Sequence, residues 1–102
     1  MSLQVFCSEE ISSETLLVLS LKDFSLELSP EGRGLFFNQM SGEILSLNKT
    51  GAFIVDNLRN PIAFGILLKK FSEIFDLPRR AAEADLREFL ATLGEMKLVQ
   101  SL

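Results

Sequence analysis

Apolar and polar residues alternate with a period of two near residue 24, and two further apolar segments follow in the first half of the chain. Residues 24–29 (FSLELS) show this pattern most clearly, as expected for a half-buried β-strand. Residues 35–40 and 43–47 predict a second and a third strand, because turn sequences rich in Gly, Pro and Ser precede each of them at 30–34 and 41–42. The pattern predicts an antiparallel meander, which needs an apolar partner on one face to be stable.

After the meander, apolar residues recur at steps of three and four, which is typical of amphipathic helices. Asn48 is suited to cap the first helix with its side-chain oxygen. Asn60 and Pro61 are suited to cap and open the second. Pro78 separates it from the third, since the residue before a proline disfavours helix. The predicted helices cover about residues 49–58, 61–75 and 79–94, and the apolar pair Leu98 and Val99 closes the chain.

Strands followed by helices predict an α+β domain over residues 24–102. Helices two and three meet across a short turn, so we expect a winged helix-turn-helix-like arrangement, with the three-stranded antiparallel sheet placed before the three helices. Residues 1–23 form an N-terminal extension. Within it, residues 15–21 (TLLVLSL) suit either a short buried strand or a helix capped by Ser12 or Ser13, and we favour one extra strand.

Composition and charge narrow the class of protein. With 102 residues, 47% hydrophobic and 24% charged, the chain fits one folded domain. Residues 1–31 carry six acidic residues and one lysine, a charge of −5, and residues 32–102 carry +1, which gives the net charge of −4. No basic face for nucleic acid is evident. Apolar runs are too short to span a membrane, and no signal peptide is evident, so we expect a cytoplasmic protein without nucleic-acid or membrane partners.

The residue types that are missing bear on chemistry. The chain has no His, Trp or Tyr and a single cysteine, Cys7, while nine Phe supply its aromatic mass. Imidazole bases and His metal ligands are therefore absent, and one thiol cannot build a metal site alone. We expect no catalytic residues, no metal site and no cofactor, and an enzyme is the least supported class.

Residues 34–99 resemble the PqqD family, the peptide-binding domains also called RiPP recognition elements. The resemblance rests on the apolar strand 35–37, the Ser-Gly turn, and residues 44–54 (ILSLNKTGAFI), which are similar to the family's LN-x-T/S-G-A-x-I junction between third strand and first helix. Residues 75–78 (FDLP) and 84–93 (ADLREFLATL) resemble the family's helical ending.

This resemblance implies a non-catalytic peptide chaperone of a kind related to PQQ biosynthesis. Family members bind the leader part of a ribosomally made precursor peptide and present it to a modifying enzyme, often a radical SAM protein. The leader joins the exposed edge of the third strand and packs towards the third helix.

The implied peptide-binding residues lie on these two elements. An unpaired strand edge offers N–H and C=O groups to another chain, and apolar residues beside it would add affinity. We expect Arg87 on the rim of a groove beside the third strand, where it would face an acidic residue of the leader. Most of these side chains suit the core equally well. The candidate residues are Glu43, Ile44, Leu45, Ser46 and Leu47 on the strand and Ala82, Leu86, Arg87 and Leu90 on the helix.

Two other functions stay open at this point. A winged-helix DNA-binding regulator would use Arg79 and Arg80 at the start of the third helix, although Glu83, Asp85 and Glu88 follow and would be repelled by phosphates. A dimerising interaction module would exchange residues 14–23 with a second copy and cover the edge of the third strand. A homodimer is therefore a possible assembly.

Overall fold

The computed structural model describes residues 11–20 and 23–102. Cys7 and the end of the predicted N-terminal strand at Leu21 lie outside these residues. The described elements are β1 (Leu16–Leu19), β2 (Phe24–Leu28), β3 (Gly34–Asn38), β4 (Ile44–Leu47), α1 (Lys49–Asn57), β5 (Ile62–Ala63), α2 (Phe64–Ile74), α3 (Arg79–Glu95) and β6 (Val99–Ser101).

The predicted meander is present as the antiparallel sheet β2-β3-β4. Its first turn contains Gly32 and its second Gly42, both with positive φ, a conformation that glycine adopts without steric cost. Phe36 pairs with Leu45, and its ring stacks on Phe24 with 5.4 Å between centroids. These residues lie on the inner face of the sheet, which packs on α1.

A second sheet, β5-β1-β6, holds the N-terminal segment against the domain. β1 lies in its centre and pairs antiparallel with both neighbours, and Leu17 and Leu19 enter the core. The extension therefore pairs with strands of its own chain. β1 and β4 belong to different sheets, and the exchange of residues 14–23 with a second copy stays a prediction.

The start of the second helix differs from the prediction. Pro61 is a favourable first helical residue, yet Ile62 and Ala63 form β5, and α2 begins at Phe64. Ile62 pairs with Leu17, and the Phe64 N–H donates to the Thr15 carbonyl at 2.9 Å. Pairing with a distant strand thus overrides the local helix signal.

The three helices enclose one core, to which both sheets contribute. Leu67, Leu68 and Phe71 of α2 face Ala82, Leu86 and Leu90 of α3, and all six are buried. The α+β class, with a three-stranded antiparallel sheet and three helices, is confirmed. The winged helix-turn-helix arrangement stays a prediction.

Candidate functional site

The outer edge of β4 carries no strand among the described residues, because the sheet order ends there. The Asn38 N–H donates to the Glu43 carbonyl at 2.9 Å. This hydrogen bond determines which residues of β4 bond to β3. In such a ladder the residues that bond to the partner strand alternate with residues whose groups point away from it. The N–H and C=O groups of Ile44 and Ser46 therefore point towards the open edge.

A cleft of about 600 Å³ lies between β4 and α3, beside this edge. Its floor is apolar and buried, whereas its α3 wall carries two carboxylates. We call it the β4–α3 groove; its lining residues are Arg33, Ser46, Leu47, Asn48, Thr50, Ile54, Phe71, Asp85, Glu88, Phe89 and Thr92.

The junction of β4 with α1 sets the shape of this groove. The Asn48 side-chain oxygen accepts hydrogen bonds from the Gly51 N–H at 2.8 Å and from the Thr50 hydroxyl at 3.0 Å, so Asn48 caps α1 as predicted. A Cβ atom on Gly51 would lie 3.2 Å from Cε1 of Phe89. The glycine thus lets the groove wall of α3 approach the first turn of α1.

The predicted strand residues fall into three groups. Ser46 and Leu47 line the β4–α3 groove. Leu45 lies on the inner face, where it lines a narrow apolar crevice beside Leu47 and is half-buried. Ile44 is on the outer face with 64% of its surface exposed, and Glu43 lies in the turn before β4.

The predicted helix residues do not line the groove. Ala82, Leu86 and Leu90 are fully buried in the core, because they form the apolar stripe that packs α3 on the rest of the domain. They are part of the packing beneath the site, and no surface is left on them for a peptide. The α3 wall of the groove is the neighbouring stripe, Asp85, Glu88, Phe89 and Thr92.

Sequence reasoning missed this stripe as a binding surface. Its members follow one another at steps of three, one and three residues, which places them along one side of a helix. Around the helix axis, this stripe lies next to the buried stripe of Ala82, Leu86 and Leu90. The available signal was a row of two carboxylates, a phenylalanine and a threonine beside the apolar stripe. Without the position of β4, such a row is typical of a solvated side of a helix.

Arg87 lies on another side of α3. Its guanidinium packs over the Phe64 ring at 4.7 Å from the centroid, donates to the Ile11 carbonyl at 3.1 Å and pairs with Glu83 at 3.0 Å. With Arg79 and Arg80 it lines a separate cleft. The expected rim position for an acidic leader residue is therefore not where the structure places Arg87.

No group of three or more Cys, Asp or Glu side chains in residues 11–20 and 23–102 is arranged to hold a metal ion. No helix in the same residues is long and apolar enough to cross a membrane.

The family model for coenzyme PQQ synthesis protein D (PqqD) matches residues 28–99, which is most of the chain. The chain belongs to the PqqD family. The match includes β4, α1 and α3, the elements that build the β4–α3 groove. Members of the PqqD family are non-catalytic accessory proteins of PQQ synthesis that bind a peptide. No curated protein and no solved structure matches the chain.

Proposed function

We propose that this protein binds the leader of a ribosomally made precursor peptide as a fourth strand at the open edge of β4. The bound leader is then presented to a modifying enzyme, such as a radical SAM protein, in the cytoplasm, and this chain performs no chemistry itself. The observation that carries the proposal is the edge of β4, which no strand of residues 11–20 or 23–102 covers, next to a groove with an apolar floor. Membership of the PqqD family supports it.

Hydrogen bonds at the edge alone leave little net free energy for binding, because four of them contribute about 2–6 kcal/mol, which is similar to the cost of ordering the leader. Ile44 and Ser46 offer two N–H and two C=O groups, and each backbone hydrogen bond contributes about 0.5–1.5 kcal/mol net. Ordering a disordered segment costs roughly 2–5 kcal/mol or more. Net affinity must therefore come largely from apolar side chains of the leader, since fully burying one large aliphatic side chain contributes about 1.5–3 kcal/mol.

The groove provides apolar contacts in the right place. In the groove floor Leu47 keeps 7% of its surface exposed, whereas Ile54 and Phe71, at 2% and 1%, are almost fully covered. The apolar surface open to a leader therefore comes mainly from the half-buried ring of Phe89 in the wall, with a smaller part from Leu47. A strand added to β4 directs every second side chain towards this floor. One or two large apolar leader residues on that side would contribute up to about 1.5–3 kcal/mol each, which is of the same order as the ordering cost.

A peptide selected from a random display library against the full chain tests the proposal. Titrated into the ¹⁵N-labelled protein, it is expected to shift the amide signals of residues 44–47 and of residues 85–92. Signals that move only at Arg79 and Arg80 of α3 and at the lysines of α2, Lys69 and Lys70, would contradict this site. Tight, steeply salt-dependent binding to random duplex DNA would favour the DNA-binding alternative. A doubling of the mass in light scattering without peptide would favour the dimerising module.

A further inference from the structure

The carboxylates of Asp85 and Glu88 give the β4–α3 groove a charge that the proposed function does not use. They lie one turn apart on α3, with Phe89 beside them. Among residues 11–20 and 23–102, neither carboxylate takes part in an ion pair. Two carboxylates at this spacing repel each other, so a cation between them lowers the energy of both.

Arg33 is the single basic residue among the described residues that line this groove, and it enters from the start of β3. The arginines of α3 line a separate cleft. The groove therefore contains two negative charges and one positive charge, with the negative ones together on the α3 wall. A ligand with a positive side chain near α3 complements this arrangement, whereas an acidic one does not.

Strand geometry adds a second condition. Side chains of an added strand alternate between the groove and the outer face, where Ile44 is exposed. A residue that reaches Asp85 must lie on the same side of the peptide as the residue that fills the apolar floor. The position numbers of these two residues in the peptide therefore differ by an even number.

We infer that the peptide recognised by the β4–α3 groove carries a lysine or arginine, which Asp85 and Glu88 bind. This basic residue lies an even number of positions from the large apolar anchor of the peptide. This inference rests on the proposed function and names the class of peptide that the groove takes. It replaces the acidic leader residue expected from the position of Arg87 in the sequence.

Three synthetic peptides, acetylated and amidated at their ends, test the inference. The first has the sequence GTLTKTLTG, in which Lys lies on the same side as both Leu residues. The second, GTLKTTLTG, has the same composition with Lys moved to the other side. The third, GTLTETLTG, replaces Lys by Glu. Each is titrated into the ¹⁵N-labelled full chain at low salt.

The first peptide is expected to bind about five- to tenfold more tightly than the other two, the range given by one or two partly exposed ion pairs. The double variant Asp85→Asn/Glu88→Gln should remove this preference. Glu73→Gln/Glu95→Gln changes the net charge equally at exposed sites outside the groove and should retain it.

Equal affinity for the first and third peptides, or a preference that persists in Asp85→Asn/Glu88→Gln, would overturn the charge inference while leaving peptide binding intact. Equal affinity for the first and second would overturn the even spacing. If none of the three shifts the signals of residues 44–47, the proposed function itself fails and the inference with it.

Discussion

A Cβ atom placed on Gly51 would lie 3.2 Å from Cε1 of Phe89, so the first turn of α1 is in direct contact with the groove wall on α3. The same position would be 3.2 Å from the Asn48 side-chain oxygen that caps the helix. The run Leu-Asn-Lys-Thr-Gly-Ala at residues 47–52 therefore has a physical reason: it ends the edge strand, caps the helix and makes room for the wall.

Gly51→Ala tests this contact. We expect the free energy of unfolding to change by less than about 1 kcal/mol, because the higher helix propensity of alanine offsets the crowding. The half-buried Phe89 ring is the group that can move, and its displacement narrows the groove. The affinity for the display-selected peptide should therefore fall while the urea midpoint stays nearly constant. A large loss of stability with unchanged affinity would show that the ring does not move into the groove.

Substitution of Arg87 tests whether the side of α3 that carries this residue contributes to stability alone or also to peptide binding. Arg87→Ala removes the contact with Phe64 and the hydrogen bond to Ile11, and we expect it to lower the free energy of unfolding by about 1–2 kcal/mol. Peptide affinity at a temperature where the variant is folded should be unchanged, because Arg87 does not line the groove. Arg87→Lys, which keeps the charge, is the matched control for stability. A loss of affinity in both variants would place Arg87 in the site after all.

Ser46→Pro tests the role of the open edge. The Ser46 N–H points away from β3, so proline removes a donor that no other residue in 11–20 or 23–102 accepts. Prolines are tolerated on edge strands in this orientation. We expect a small change in thermal stability and a loss of peptide affinity of about tenfold or more, since a donor is lost and the proline ring obstructs the edge.

Ser46→Ala is the control for the side chain at this position. It keeps the backbone N–H and should retain the affinity of the original protein. Equal binding by the proline and alanine variants would show that the peptide does not add to this edge.

The meander and the three helices were predictable because their signals are local: period-two alternation, turn glycines and an asparagine cap. β5 was not, because Ile62 and Ala63 are held extended by pairing with β1, which is distant in sequence. Pro61 precedes these two residues, and a proline favours the first turn of a helix, so the local sequence predicted a helix there.

The site was predictable only in part, for a related reason. Ser46 and Leu47 line the groove, as the position of the last meander strand suggested. On α3, apolar periodicity identifies the stripe that faces the core, here Ala82, Leu86 and Leu90. The stripe that faces the groove is set by the position of β4 relative to the helix, and that position is a tertiary property. Phe89 belongs to it because Gly51 allows the close approach.

Amide hydrogen exchange along β4, with and without the selected peptide, tests the central claim most directly. Before binding, Leu45 and Leu47 are expected to be protected by their bonds to β3, while Ile44 and Ser46 exchange quickly. Binding should slow exchange at Ile44 and Ser46, with much smaller changes at the other two. Unchanged fast exchange at Ile44 and Ser46 in the saturated complex would contradict the addition of a peptide strand at this edge.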